Sequence, residues 1–273
     1  MHGMYEAVRL TVEAHVADLV LTGPAKGNAM GPAFFRDFPL AVKAAMRDPA
    51  VRALVVRSEG DHFTYGLDLP AMMTEMGPLM QGGLAQSRTA LYEKVRELQG
   101  TFDCLADGPK PVIAALHGWC IGGGLDLATA CDVRVCSKDA RFSVREVRVA
   151  MVADLGSLQR LPYIVGEGHA RELALTGRDF DAARALRIGL VNDVHEDKQA
   201  THDAARAIAR EIADNPPLVV QGVKQVMERA KRPVVQAGLE HVAAWNAAFL
   251  PSEDLGEAVT AFMTRRKPEF RGA

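Results

Sequence analysis

An α/β fold is predicted, in which a strand–loop–helix unit is used at least twice and a helical region closes the chain. Three observations predict it. Short apolar runs such as 51–56 and 112–116 alternate with stretches of helical spacing. The string Gly66-Leu67-Asp68-Leu69 recurs as Gly124-Leu125-Asp126-Leu127, each copy a few residues beyond one of those runs. After Ser157 the pattern turns mostly helical, and from about Asp197 it reads as helices alone. A boundary is therefore placed at 196/197, with a core over 1–196 and a helical region over 197–273.

The elements follow in order. Val8 to Glu13 and Val16 to Leu21 read as strands joined by a hairpin. Gly23-Pro24 breaks that pattern and leads into the loop Lys26-Gly27-Asn28-Ala29. Phe34, Phe38, Val42 and Met46 then recur at spacings of four, which predicts a helix that ends at Asp48-Pro49. Val51 to Val56 reads as a buried strand. Residues 70–88 are rich in Met and Gly and give no clear assignment. A helix is expected from about Thr89 to Ala106, stopped by Pro109-Lys110-Pro111. Val112 to Leu116 is a strand running into Gly118 and the triplet Gly122-Gly123-Gly124, with a helix after it. Val133 to Val135 is another strand, and Gly189-Leu190-Val191 a last one. Pro216-Pro217, Pro233 and Pro251 are expected to break the closing helices.

Composition excludes several classes. The 273 residues are 48% hydrophobic and 24% charged, which is ordinary for a globular chain with a large core. A net charge of −2 without a basic stripe gives no basis for binding nucleic acid or an anionic membrane. Cys104, Cys120, Cys131 and Cys136 contain no CxxC pair, so neither a zinc site nor a redox pair is indicated. Met1 to Glu6 has no basic n-region, and Glu6 is unlike a transit peptide. Phe270-Arg271-Gly272-Ala273 is not a peroxisomal address, and no apolar run approaches the ~18 residues of a membrane span. A cytoplasmic location is expected.

Chemistry is suggested by glycines beside acids. Gly122-Gly123-Gly124, between a strand and a helix, lets backbone N–H groups approach an anionic oxygen at the helix start. The run is neither GxGxxG nor a Walker motif, so a nucleotide cradle is not indicated. Asp126 lies among Leu125, Leu127 and Ala128, and Asp154 lies in the apolar run 150–156. An acid so placed is either a helix cap or a functional group. Asp154 before Gly156-Ser157 also suits a cap for a helix over 157–165, and spacing leaves both readings open.

These residues resemble the crotonase superfamily, which handles acyl-CoA thioesters. The matching stretches are Tyr65 to Leu69, Lys110 to Gly118, Gly122 to Leu127, Cys131-Asp132-Val133-Arg134 and Leu158 to Pro162, and they span nearly the whole chain. The resemblance implies a spiral of ββα repeats followed by a helical trimerisation region. It implies an oxyanion hole formed by the N–H groups of Leu67 and Gly123. Lys26, Asn28, Tyr65, Gly66, Asp68, Leu69 and Gly124 are the implied contacts to substrate or CoA. Assembly is expected as a homotrimer or a dimer of trimers. No metal or separate cofactor is implied, because CoA is part of the substrate.

The acids narrow the resemblance. Enoyl-CoA hydratases carry Glu at the positions of Asp126 and Glu146, and glycine at that of Asp154. The Asp, Glu and Asp pattern here is similar to Δ3,5-Δ2,4-dienoyl-CoA isomerases, as is Ala244-Trp245-Asn246. The implied reaction moves a proton from C2 to C6 of a 3,5-dienoyl-CoA, giving the 2,4-diene in fatty-acid β-oxidation. Asp154 is the implied base, Glu146 the acid, and Asp126 a group that tunes them. Alternatives are an enoyl-CoA hydratase and a non-catalytic acyl-CoA-binding protein. Ala150 stands in place of a usual glycine and Tyr65 in place of a small residue, and both bear on the acyl pocket.

Overall fold

A parallel sheet buried on both faces organises the molecule. The computed structural model describes residues 3–81 and 84–273. The strands are β1 (Gly3–Met4), β2 (Val8–Glu13), β3 (Val16–Leu21), β4 (Ala53–Ser58), β5 (Val112–Leu116), β6 (Trp119–Ile121), β7 (Val133–Ser137), β8 (Arg141–Ser143), β9 (Phe180–Asp181) and β10 (Asp193–His195). The helices are α1 (Pro32–Arg47), α2 (Leu69–Met80), α3 (Ala85–Ala106), α4 (Gly123–Thr129), α5 (Ser157–Val165), α6 (Glu167–Thr176), α7 (Ala182–Arg187), α8 (Lys198–Ala213), α9 (Pro217–Phe249) and α10 (Glu253–Thr264).

Seven strands form the main sheet in the order β1-β2-β3-β4-β5-β7-β10. The β2–β3 hairpin is antiparallel, and the pairings from β3 through β10 are parallel. Alternate residues therefore need two apolar layers. Leu54, Val56, Val112, Ala114 and Leu116 join the main core. Val16, Ala53, Val55, Ile113, Ala115 and Val135 face a second core closed by Ala205, Ala209 and Ala213 of α8. Those alanines recur every four residues, so one bare helix face lies close on the sheet. This explains why the strands read as continuous apolar runs rather than alternating ones. A smaller sheet, β6-β8-β9, stands beside the glycine triplet.

Most expected elements are present, with shifts that have physical causes. The strand expected at 51–56 is Ala53–Ser58, because Val16–Leu21 pairs with it in that register. Residues 70–88 become helical on both sides: α2 starts at Leu69 with Asp68 as its cap, and α3 starts at Ala85 rather than Thr89. Residues 82 and 83 of that stretch lie outside the described residues. Gly189-Leu190-Val191 is not a strand; the last strand is Asp193–His195, paired with β7. Pro233 does not break its helix, since α9 runs unbroken from Pro217 to Phe249. A proline inside a helix costs ~3 kcal/mol, and the burial of Val235, Leu239, Val242 and Ala243 just beyond it offsets that. β6, β8 and β9 are too short to have shown a period of two.

The shared motif residues act largely as tethers. Lys224 Nζ donates to Asp132 Oδ2 at 2.8 Å and to two main-chain carbonyls, pinning α9 to the sheet end. Arg134 Nε donates to the Leu190 carbonyl at 2.7 Å. Arg160 pairs with Asp103 of α3. These contacts fix the layers between which the acids lie.

Candidate active site

Two loops meet backbone to backbone above the sheet. Thr64 N donates to the Trp119 carbonyl at 2.9 Å, and Ile121 N to the Thr64 carbonyl at 3.3 Å, so the first loop runs alongside β6. Gly66 has φ +80, and a Cβ there would stand 2.6 Å from the Ile121 carbonyl and 3.1 Å from Gly123 N. A Cβ at Gly124 would fall 2.5 Å from Thr64 Cγ2. Only glycines allow this approach. Leu67 and Gly123 thus come from the two echoed units and lie across the same seam. Gly123 is the first residue of α4, whereas Leu67 precedes the α2 cap Asp68. That offset explains the different registers of these two amides within the repeated string. Neither amide has an acceptor among the described residues.

The three acids converge next to this seam. Glu146 sits on a 3-10 turn (Glu146–Val149), and its Oε1 lies 3.3 Å from where a Cβ at Gly122 would stand. Asp126 is fully enclosed on α4, and its Oδ1 accepts from Ser157 N at 2.5 Å. The N-cap position of α5 is Gly156, which has no side chain, and the first helical amide is met by Asp126, 31 residues away, and not by Asp154. Capping by Asp154 was the local alternative, and it fails because Gly156 at φ +128 turns the chain away before the helix. Asp154 is half-buried; its Oδ2 accepts from Asn246 Nδ2 of α9 at 2.7 Å.

Burial sets their proton affinities apart. It raises Glu146 well above the usual carboxyl range, helped by the negative charge of Asp126. It raises Asp154 to about 7, opposed by the hydrogen bond from Asn246. It also raises Asp126, opposed by the Ser157 amide. Glu146 Oε2 is buried and has no hydrogen-bond partner among the described residues.

A cleft of about 670 Å³ opens from the seam to the surface. Lys26, Tyr65, Leu67, Asp68, Leu69 and Gly123 line it together with Glu146. Trp119, Arg145, Met151 and Phe262 complete it. Lys26 is exposed at its rim. Five of the seven expected contacts have structural duties. The Asn28 amide donates to the carbonyls of His62 and Phe63 at 3.2 and 3.4 Å, so it shapes the loop instead of facing the cleft. Asp68 Oδ1 caps α2 through Ala71 N at 3.2 Å. Gly66 and Gly124 act through close packing. Tyr65 fills the space over Gly27, where a Cβ would strike its ring at 2.0 Å.

Several cleft residues had no sequence signal. Arg145 pairs with Asp179 and lies 5.6 Å over the Trp119 ring. Phe262 arrives from α10 at the far end of the chain. The role of Asn246 was likewise hidden, although its string Ala244-Trp245-Asn246 was conspicuous.

Comparisons with known proteins agree with this arrangement. The family model described as enoyl-CoA hydratase/isomerase matches residues 11–273. The peroxisomal Δ(3,5)-Δ(2,4)-dienoyl-CoA isomerase of Arabidopsis thaliana is 42% identical over 266 residues, covering 97% of this chain and 96% of that protein. The mitochondrial protein of the same name from Dictyostelium discoideum is 43% identical over 260 residues, covering 94% and 87%. A solved enoyl-CoA hydratase/isomerase from Pseudoalteromonas atlantica superposes with a TM-score of 0.84 at 27% identity, covering 97% and 100%. The expected cytoplasmic location is overturned, because the similar isomerases are named as peroxisomal or mitochondrial. Composition sets no compartment by itself, and the terminal strings were too weak a basis for one.

Proposed function

Because this chain belongs to the enoyl-CoA hydratase/isomerase family, we propose that its site converts 3,5-dienoyl-CoA to 2,4-dienoyl-CoA. The C2 proton of a 3,5-dienoyl thioester is acidic, since the charge left behind spreads onto the thioester oxygen. The N–H groups of Leu67 and Gly123 receive that oxygen. In other enzymes, one such donor contributes roughly 3 kcal/mol to the transition state. Asp154, ionised, takes the C2 proton. Glu146, protonated, gives one to C6. Asp126 is held in place by the Ser157 amide at the start of α5, and its negative charge keeps the Glu146 proton on. The proton later returns from Asp154 to Glu146 by exchange, which closes the cycle. No cofactor is needed, and CoA enters and leaves as part of the substrate.

One observation carries this reading: Glu146 and Asp154 belong to one acid cluster yet differ in proton affinity, Glu146 raised well above the usual carboxyl range and Asp154 raised to about 7. A pair poised in opposite states suits moving a proton between distant carbons. The names of the relatives support the same reading.

The test is to offer 3,5-dienoyl-CoA and follow the absorbance of the conjugated 2,4-diene, with 2-enoyl-CoA in parallel. Product only from 2-enoyl-CoA identifies a hydratase. Product from neither, with binding retained, identifies an acyl-CoA-binding protein.

Assembly belongs to the same proposal. Leu218, Val219, Val226 and Met227 of α9 and Met263 of α10 are all exposed. Such a concentration of large apolar side chains suits burial against further copies of the chain. The helical region over 197–273 is accordingly assigned to oligomerisation, as a trimer or a pair of trimers. Within one chain α8 also closes the sheet.

A further inference from the structure

We propose that Asn246 is a positioning residue for the reaction, holding the Asp154 carboxylate ionised and aimed, with Gln99 fixing the backbone beneath it. The inference rests on the reading of Asp154 as the base. Asn246 lies on α9, 92 residues beyond Asp154, and is only 2% exposed. Its one amide nitrogen donates twice, to Asp154 Oδ2 at 2.7 Å and to the Val152 carbonyl at 2.9 Å. The second bond fixes the amide plane, so the first is aimed rather than opportunistic. Gln99 of α3 is fully buried; its Nε2 donates to the Asp154 carbonyl at 2.7 Å and to the Leu239 carbonyl of α9 at 3.0 Å. Arg96 Nη1 donates to Gln99 Oε1 at 2.6 Å and fixes that amide in turn. Two amides from two helices therefore grip one residue, one at the carboxylate and one at the main chain.

The chemistry of the two grips differs. An N–H donor favours the ionised carboxylate over the protonated acid, and a bond to a charged group is stronger than a neutral one. Burial and the neighbouring acids work in the opposite sense on Asp154. The charged groups around it are Asp126 of α4, Glu146 of the 3-10 turn, and Arg160 of α5 paired with Asp103 of α3. Arg96 of α3 stands 4.0 Å from Glu240 of α9. His241 of α9 lines the adjoining cavity with Val152. Among the described residues, no cation forms an ion pair with Asp154. Asn246 is its one side-chain hydrogen-bond donor there.

The experiment is the pH profile of kcat/KM for 3,5-dienoyl-CoA in the wild-type protein, Asn246→Leu and Asn246→Ser. Asn246→Leu is expected to move the acid limb upward by about one to two pH units, the equivalent of one charge-assisted hydrogen bond. Its rate then recovers toward wild type at high pH. Asn246→Ser, which keeps a short O–H donor, is expected to move it less. Selective 13C labelling of aspartate carboxyls reads the Asp154 titration directly and does not depend on turnover. An unmoved limb or titration with a uniform loss of rate at every pH overturns the proposal in favour of a packing role. A wild-type protein without isomerase activity, or an active Asp154→Asn variant, overturns the function reading and this inference with it.

Discussion

At the residue scale, two carboxyls with separated affinities dictate how activity depends on pH. Asp154 is raised to about 7 and Glu146 is raised well above the ordinary range. The proposed reaction requires the first ionised and the second protonated. The expected profile of kcat/KM is a bell, falling as pH drops through about 7 and falling again where Glu146 loses its proton. A profile that stays flat down to pH 5 excludes Asp154 as the base. Asp154→Asn is expected to remove isomerisation by 10²–10⁴-fold, the usual share of general acid–base catalysis. Binding of a non-reacting acyl-CoA, measured by calorimetry, is expected to survive. The sequence exposed these acids as odd because each stood among apolar neighbours. It did not reveal their partners, since the Asp126–Ser157 and Asp154–Asn246 bonds join residues 31 and 92 positions apart. Spacing leaves Asp154 open as a cap for α5 or a functional group; the first amide of α5 is instead met by Asp126 of another helix, because tertiary contact outranks local spacing.

At the element scale, the seam between the two loops is the structure on which the site depends. Gly66 holds φ +80 within van der Waals reach of Ile121 and Gly123. Gly66→Ala is expected to force the loops apart, misplace Leu67 N, and lower kcat by about 10²–10³, comparable with losing an oxyanion donor. Circular dichroism and denaturant midpoint are expected to change less than activity does. A variant with wild-type kcat excludes the seam as the donor platform. The repeated string made this seam legible, since both copies open helices at strand ends. The short strands β6 and β8 were not legible, as three residues carry no period. The unbroken α9 was hidden for the opposite reason: Pro233 is a strong local signal that packing on α3 overrides. Asn246 lies 13 residues past that proline, so the same helix that looked broken delivers the contact to Asp154.

At the scale of the whole molecule, the site has a stability cost that depends on pH. Asp154 titrates near 3.8 in an unfolded chain and at about 7 when folded. Between those values the folded state holds more protons, so stability falls as pH rises through that window. Asp154→Asn removes the ionisable group while keeping its size. The melting temperature of the variant is expected to exceed that of the wild type at pH 8, with the gap narrowing toward pH 5. An equal gap at both pH values contradicts this origin. A second expectation concerns assembly. Val226 on α9 is 75% exposed, so under the proposed assembly Val226→Asp is expected to lower the mass seen by analytical ultracentrifugation while leaving the circular dichroism of the chain intact. An unchanged mass places the contact between copies elsewhere.

The two amides proposed to hold the thioester oxygen, those of Leu67 and Gly123, are main-chain atoms, which every residue possesses. Substituting a side chain cannot delete them; only a change in the path of the backbone can. The acids beside them are side chains, each replaceable by a single substitution. The protein therefore separates a durable component from an exchangeable one. In the proposed reaction the glycines preserve the ability to hold an enolate, whereas the identity and spacing of the acids decide where its protons go. On that reading, exchanging a carboxyl redirects the protons while the socket beneath stays as it is.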